Sequence, residues 1–396
     1  MDPKKKEKLQ TWSEINRNRK RERKEWKEKS LLKKKKVAQI EEPIKQSTDA
    51  NQCQIDNIEL STVSFAIPGS ILENAQSIEL RTYLAGQIAR AACLFQIDEI
   101  VVFDDYGDEV NTKKSTLEDN YGMKTMRHCC IQLARILQYL ECPQYLRKNF
   151  FPIHKDLKYS GLLNPLNAPH HLSANEHFEF REGVVSNKPV KPGRGSIVNV
   201  GLRQDVHVDR LLTVGLRCTV HITSENLNDK KLKGVVVSPD IPRKKTGIYW
   251  GYSVRLAKTL TQVFSQCPYK QGYDLTVGTS DKGSSLDEFI CPSYKHMLII
   301  FGGVQGIEFA LENDPALKED DPRLLFDEYL NTLPQQGSKT IRTEEAILIS
   351  LAGLRPKLNP LNPPIIFKES SNDVDLSCSI VSSENNVIVD EMSRFD

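Results

Sequence analysis

Short apolar runs and stretches of helical spacing alternate along the chain from about residue 60 onward. Residues 62–67 (Thr-Val-Ser-Phe-Ala-Ile) predict a short strand stopped by Pro68-Gly69. Over residues 73–95, Leu80, Leu84, Ile88, Ala91 and Phe95 recur at three- and four-residue spacing among good helix formers, which predicts a long helix. Residues 97–103 predict the next strand, closed by Asp104-Asp105. Strand, helix and strand in this order make a parallel crossover unit. Beyond a polar loop, Leu133, Ile136, Leu137 and Leu140 form another helical stripe, which Pro143 ends.

Helical spacing then vanishes. Residues 196–200, 205–208, 216–223 and 232–238 predict short strands between Gly, Pro, Asn and Asp turns, the pattern of a small antiparallel barrel or sandwich. Alternation resumes with a predicted helix over 253–266, carrying Leu256, Leu260, Val263 and Phe264 on one side. Strands over 273–279 and 296–301 follow, then an apolar run over 324–333 and a helix over 343–354. The fold class is therefore α/β, with a parallel sheet over residues 59–163 and 247–356 interrupted by a β-rich insert over 164–246. No internal repeat is visible.

Charge adds two tails to this picture. The net charge of +2 hides a basic arm: residues 1–40 hold 16 Lys and Arg against 6 Asp and Glu. The arm ends in Lys33-Lys34-Lys35-Lys36 and carries Trp12 and Trp26. Clustered lysines form a salt-sensitive phosphate-binding patch or an import signal, while a solvated helix or an unstructured tail explains the same composition. Residues 41–58 have the polarity of a linker, and 357–396, acidic and rich in Asn, Ser and Pro, that of a disordered tail. The apolar runs are far short of the ~20 residues that span a bilayer. Met1–Gln10 has no apolar segment behind its charges, which argues against a secretory signal. Nine cysteines without a Cys-x-x-Cys pair are then expected as reduced thiols, and no metal site is expected.

In open parallel sheets, ligands sit beyond the carboxyl ends of the strands. Three segments occupy such places. Gly278-Thr279-Ser280-Asp281-Lys282-Gly283 has the look of a phosphate loop but lacks the Lys-Ser/Thr pair, and an ordinary polar turn explains it equally. Phe301-Gly302-Gly303-Val304-Gln305-Gly306 ends the most apolar strand, where paired glycines let a ligand approach the backbone or simply make a tight turn. The polar segment 331–346 runs into a helix whose expected N-cap is Thr343, with Glu344 and Glu345 in its first turn. No early strand leads into Gly-x-Gly-x-x-Gly, which disfavours a dinucleotide or Rossmann-type methyltransferase fold. No Gly-x-Ser-x-Gly elbow is present, and His170-His171 fit a structural or exposed role better than catalysis. Arg90, close to the small-residue face of its helix, is either a surface charge or a group whose stem packs while its guanidinium reaches a site.

These pieces join in a resemblance. Gly86-Gln87-Ile88-Ala89-Arg90-Ala91-Ala92-Cys93-Leu94-Phe95, leading into Ile97-Asp98-Glu99-Ile100, resembles the first motif of the SPOUT RNA methyltransferases. Gly302-Gly303 and the segment 336–346 resemble the second and third. Longer runs are similar to the eukaryotic centromere-associated subfamily: Ile67-Pro68-Gly69-Ser70-Ile71-Leu72, Gly161-Leu162-Leu163-Asn164-Pro165-Leu166 and Thr340-Ile341-Arg342-Thr343-Glu344-Glu345-Ala346 among them. The likeness covers roughly residues 60–355.

The resemblance implies a trefoil-knotted sheet with an inserted OB-like barrel, a homodimer with its active site at the interface, and S-adenosylmethionine as cofactor. It places cofactor contacts on Thr279, Lys282, Gly303, Asn331, Ile341 and Thr343, with Arg90 as the catalytic candidate. The implied reaction is methylation of a nucleobase in structured RNA, most directly uridine N3 of large-subunit (28S) ribosomal RNA. The 2′-O-methylating branch carries Asn two residues before the motif glycine, where this chain has Leu84, which disfavours ribose as acceptor. Also implied are nuclear, nucleolar and cytoplasmic localisation and association with kinetochore, centrosome and spindle. A non-enzymatic RNA-binding scaffold there is the competing reading, and no membrane partner is expected.

Overall fold

The computed structural model describes residues 59–107, 126–190, 195–224, 231–317 and 321–364. The basic arm, the linker to residue 58 and the acidic stretch from 365 lie outside the described residues.

Strand β1 (Thr62–Pro68), β2 (Glu99–Phe103), β8 (Ser253–Ala257), β9 (Leu275–Ser285), β10 (His296–Ile300) and β11 (Glu328–Asn331) form one parallel sheet in the order β11-β9-β10-β1-β2-β8. The central strands are almost continuously apolar because both faces are covered. Phe65, Ile67, Ile100, Val102, Met297 and Ile299 point into the larger core. That core is closed by α1 (Ile78–Leu94), α2 (His128–Glu141) and α7 (Thr343–Leu354). The alternate residues Ala66, Val101, Phe103, Leu298 and Ile300 pack with α5 (Leu260–Ser265) and α6 (Gly306–Glu312) on the opposite face.

Four boundaries differ from the pattern-based expectations. The stretch 73–95 is a 3-10 turn over Gly69–Asn74 followed by α1, because Ser77 caps the helix by accepting from the Leu80 amide. Leu80 is left half exposed on that helix. Residues 253–266 are not one helix but β8 and then α5. Pairing of Ser253–Ala257 with β2 holds the first half extended, and the helical spacing of Leu256 and Leu260 is accidental. The supposed loop 278–283 lies within β9. Finally, the acidic tail does not begin at 357. Leu358 packs on the core, and the amide of Asn362 and the amide of Ser61 each reach across to the other residue.

The insert is a closed five-stranded barrel: β3 (Phe180–Val185), β4 (Ile197–Asn199), β5 (Val206–Val208), β6 (Arg217–Ile222) and β7 (Leu232–Val237). Its order is β3-β4-β5-β7-β6, antiparallel except for the parallel β5–β7 pair, the arrangement of an OB-like barrel. Val185, Val198, Val206, Val220 and Leu232 fill it. The first barrel strand escapes the hydrophobic pattern because Arg181, Glu182 and Gly183 stand in its middle. Glu182 is buried yet satisfied, accepting from Arg217 Nε (2.8 Å), Thr219 Oγ1 (2.6 Å) and Trp250 Nε1 (2.8 Å). Two further short helices, α3 (Gln144–Phe150) and α4 (Ile241–Thr246), connect barrel and sheet.

Candidate active site

The strand registers bring three carboxyl ends level. Ala66 pairs with Ile300, Pro68 with Phe103, and Ile300 with Gly278. Along β11 the pairing jumps from Tyr329–Gly278 to Leu330–Ser284, so residues 279–283 bulge from the ladder at this edge. The three candidate segments therefore meet there, the position at which ligands bind open parallel sheets.

Most of the expected cofactor residues are tied together across these segments. Thr279 Oγ1 donates to the Ile300 carbonyl at 2.9 Å. Asn331 Nδ2 donates to the Asp281 carbonyl at 3.0 Å, while its Oδ1 accepts from the Leu333 amide. Lys282, exposed, pairs with Glu308 at 2.9 Å, and that carboxylate raises the ammonium pKa. Thr343 Oγ1 donates to the Gly302 carbonyl at 3.1 Å. Thr343 is not the helix cap, because its hydroxyl is spent on that carbonyl; Arg342 holds the N-cap position, its amide bonded to Glu345. Ile341 is half exposed in the third segment. The side chains of Thr279, Asn331 and Thr343 thus fasten the loops and leave backbone surface to face a ligand.

Gly302 and Gly303 have separate reasons to lack a side chain. A Cβ on Gly302 would lie 2.6 Å from Gly306 backbone, so the turn could not close. A Cβ on Gly303 would point instead at Ser70 Oγ (3.3 Å), Asp105 Oδ2 (3.4 Å) and Pro68 Cγ (3.4 Å).

Those neighbours were absent from the sequence-based site. Ser70 Oγ donates to Asp105 Oδ2 at 2.5 Å, while Asp105 Oδ1, shielded from water, has no hydrogen-bond partner among the described residues. Burial raises the Asp105 pKa, and the Ser70 bond and Arg127 offset part of that rise. Asp104 is raised by burial too, against hydrogen bonds from the Tyr106 and Arg127 amides. Arg127 stacks on the Tyr106 ring at 3.8 Å and donates to Glu73 at 2.5 Å. The available signal was the acidic pair Asp104-Asp105 directly at the carboxyl end of a continuous apolar strand.

Arg90 sits apart from the three segments. Its Nη1 donates to the carbonyls of Leu166 (2.5 Å) and Pro165 (3.3 Å). It lines a shallow cavity of about 210 Å³ with Tyr83, Gly86, Leu163, Asn164 and Leu348. The chain alone does not bring this guanidinium to the Gly303 edge.

Residues 62–354 match the protein family described as "Putative RNA methyltransferase". The chain belongs to this RNA methyltransferase family. It is 51% identical over 386 residues to a Drosophila melanogaster protein named 28S rRNA (uridine-N(3))-methyltransferase, covering 96% of this chain and 78% of that one. Mouse and human proteins of the same name are 56% and 55% identical over 298 residues, which is 75% of this chain and 77% and 78% of theirs. Among solved structures, the SpoU methyltransferase AviRb from Streptomyces viridochromogenes, in complex with AdoMet, matches with a TM-score of 0.28 at 11% identity. That match covers 76% of this chain and 58% of the other.

Proposed function

We propose that this chain methylates uridine N3 in 28S ribosomal RNA with S-adenosylmethionine as donor. The observation that carries the reading is 51–56% identity to three proteins of that name. The site residues fit the donor: a bare glycine face at Gly303, with loop backbone around it held in place by Thr279, Asn331 and Thr343. The 302–303, 331–342 and 279–283 segments would hold it, with Lys282 and Ile341 at the rim. When bound, the donor supplies an electrophilic sulfonium methyl. The protein's own work is to fix the acceptor in line, a positioning effect worth up to about 7–11 kcal/mol.

We infer that the active unit is a homodimer threaded as the SPOUT trefoil knot. Leu80, Tyr83 and Leu94 on α1 and Leu348 on α7 form an exposed apolar surface around the Arg90 cavity, which a second copy would cover. Arg90 would then serve the partner's site, compensating charge that develops on the uridine imide. The barrel and the basic arm would hold RNA phosphates, and the arm would direct the chain to the nucleus and nucleolus. Kinetochore, centrosome and spindle association belongs to the same proposal.

The test is to incubate purified chain with S-adenosylmethionine and a 28S fragment, then digest the RNA and identify nucleosides by mass spectrometry. The reading expects 3-methyluridine, lost in Arg90→Ala by about 10²–10³-fold, as when a preorganised donor is removed. Wild-type rates in Arg90→Ala would overturn the role of Arg90. Light scattering of the same sample would show a dimer that Tyr83→Asp disrupts; an undisturbed monomer would overturn the proposed assembly.

A further inference from the structure

We propose that Asp105, held by Ser70, is the base that takes the N3 proton of the acceptor imide. The inference deepens the proposed function and rests on it. Methylation at N3 has to remove a proton, because the imide nitrogen carries one and the product nitrogen does not. The neutral imide is a poor nucleophile and its anion a good one.

The geometry points to Asp105 on three counts. It stands at the carboxyl end of β2, level with the motif glycine at the end of β10. The missing side chain of Gly303 leaves that glycine facing the Ser70–Asp105 pair, with Ser70 Oγ at 3.3 Å and Asp105 Oδ2 at 3.4 Å from where a Cβ would stand, so a group lying over it comes beside the carboxyl. Asp105 is only 5% exposed, and among the described residues no side chain or neighbouring amide donates to its Oδ1. A buried acceptor without a donor is costly, and a catalytic role is one of the reasons a protein keeps such a group.

Ser70 fixes the reactive oxygen. By donating to Oδ2 it leaves Oδ1 as the free one, and its bond lowers the carboxyl pKa against the raising effect of burial. The charged and titratable groups around the pair are Asp104 beside it just after β2, Glu73 behind the β1 turn, Arg127 at the N-cap of α2 and Cys130 within that helix. Asn313, after α6, donates to the Asp105 carbonyl and anchors its backbone at 3.2 Å. Gly303 itself is partly exposed and Val304 largely so, giving an approach from solvent on the same side.

Asp105 Oδ1 accepts the imide proton and becomes a neutral carboxyl. The nitrogen pair forms the new N–C bond to the methyl as the S–C bond breaks and leaves its pair on sulfur. The proton passes from Asp105 to water after the thioether product leaves.

The missing donor has two chemical sources, the imide N–H of uridine or the ammonium of the cofactor's amino-acid end, and the experiment separates them. Asp105→Asn is compared with wild type by calorimetric titration with S-adenosylmethionine and by methylation of a 28S fragment between pH 6 and pH 10. The proposal expects unchanged cofactor affinity and a rate at pH 7 lower by about 10²–10⁴-fold, the usual contribution of a general base. That rate should climb about tenfold per pH unit as the imide ionises by itself.

Loss of cofactor affinity would assign the carboxylate to the ammonium and overturn the proposal. A rate within threefold of wild type, or a slow rate that alkali does not restore, would overturn it as well. Where Asp105→Asn does not fold, Ser70→Ala decides. Without the serine's bond the Asp105 pKa rises, so the acid limb of the pH–rate profile must move to higher pH; an unmoved limb overturns the assignment. A wild-type protein that makes no 3-methyluridine would refute the proposed function itself, a result distinct from all of these.

Discussion

Glu141 and Glu182, where the barrel meets the α/β layer, have every carboxylate oxygen engaged, whereas Asp105 at the carboxyl edge of the sheet has one oxygen bonded and one bare among the described residues. Arg217 donates to both oxygens of Glu141 (2.7 and 2.9 Å) and to Glu182 (2.8 Å), and His170 lies 3.1 Å from Glu141. The Glu141 pKa falls to about 2: burial alone would raise it, but His170 and Arg217 more than reverse that. At Asp105, burial prevails and the pKa rises. Two buried acids in one chain thus titrate in opposite directions. The saturated cluster fixes the barrel to the sheet, and the unsaturated one is where a ligand has something to add.

The contrast can be broken first with acid. His171, whose Nε2 shares the Glu141 carbonyl with His170, has a pKa lowered from 6.5 to about 4 by burial and by the neighbouring imidazole. Because the unfolded chain takes up its proton first, stability is lost as pH falls from 6.5 towards 4. Glu141, depressed from 4.5 to about 2, adds a second loss between those values. At about 1.4 kcal/mol per unit the two stages together are on the order of 7 kcal/mol, measured by urea denaturation across the range. His171→Asn should remove the upper stage alone.

The next largest effect belongs to Arg217→Met, which leaves Glu141 and Glu182 buried without their shared guanidinium. A loss of about 3 kcal/mol is expected, the low end for a broken buried pair, since the Arg217 side chain is 32% exposed. Gly303→Val should leave the melting curve in place but weaken S-adenosylmethionine binding by at least about 100-fold, or ~2.7 kcal/mol, in calorimetry. Lys282→Ala stands last. Its ion pair is exposed, so no change in stability is expected and cofactor affinity should shift by a few-fold at most.

The sheet could be read from the chain wherever a strand is covered on both faces. Residues 100–103 and 297–301 are continuous apolar runs, and they became the bulk of β2 and β10 at the centre. Edge strand β8 was lost because Leu256, Leu260 and Val263 happen to keep helical spacing, and only pairing with β2 settles the conformation. Barrel strand β3 was hidden by buried charges whose partners lie far along the chain: Glu182 meets Arg217 and Trp250. The same limit applies at the site. Gly303 could be singled out because a paired glycine at a strand end is a local signal. Ser70 and Asp105 are 35 residues apart and meet only because β1 and β2 pair in register. Arg90 was found by motif, yet its place against the 163–166 segment required the fold.

The most direct test of the account is nucleoside mass spectrometry on a 28S fragment incubated with this chain and S-adenosylmethionine. The account predicts 3-methyluridine as the product, formed by wild type and abolished in Gly303→Val. A 2′-O-methylated nucleoside, or unmodified RNA from a folded protein that binds the donor, would contradict it.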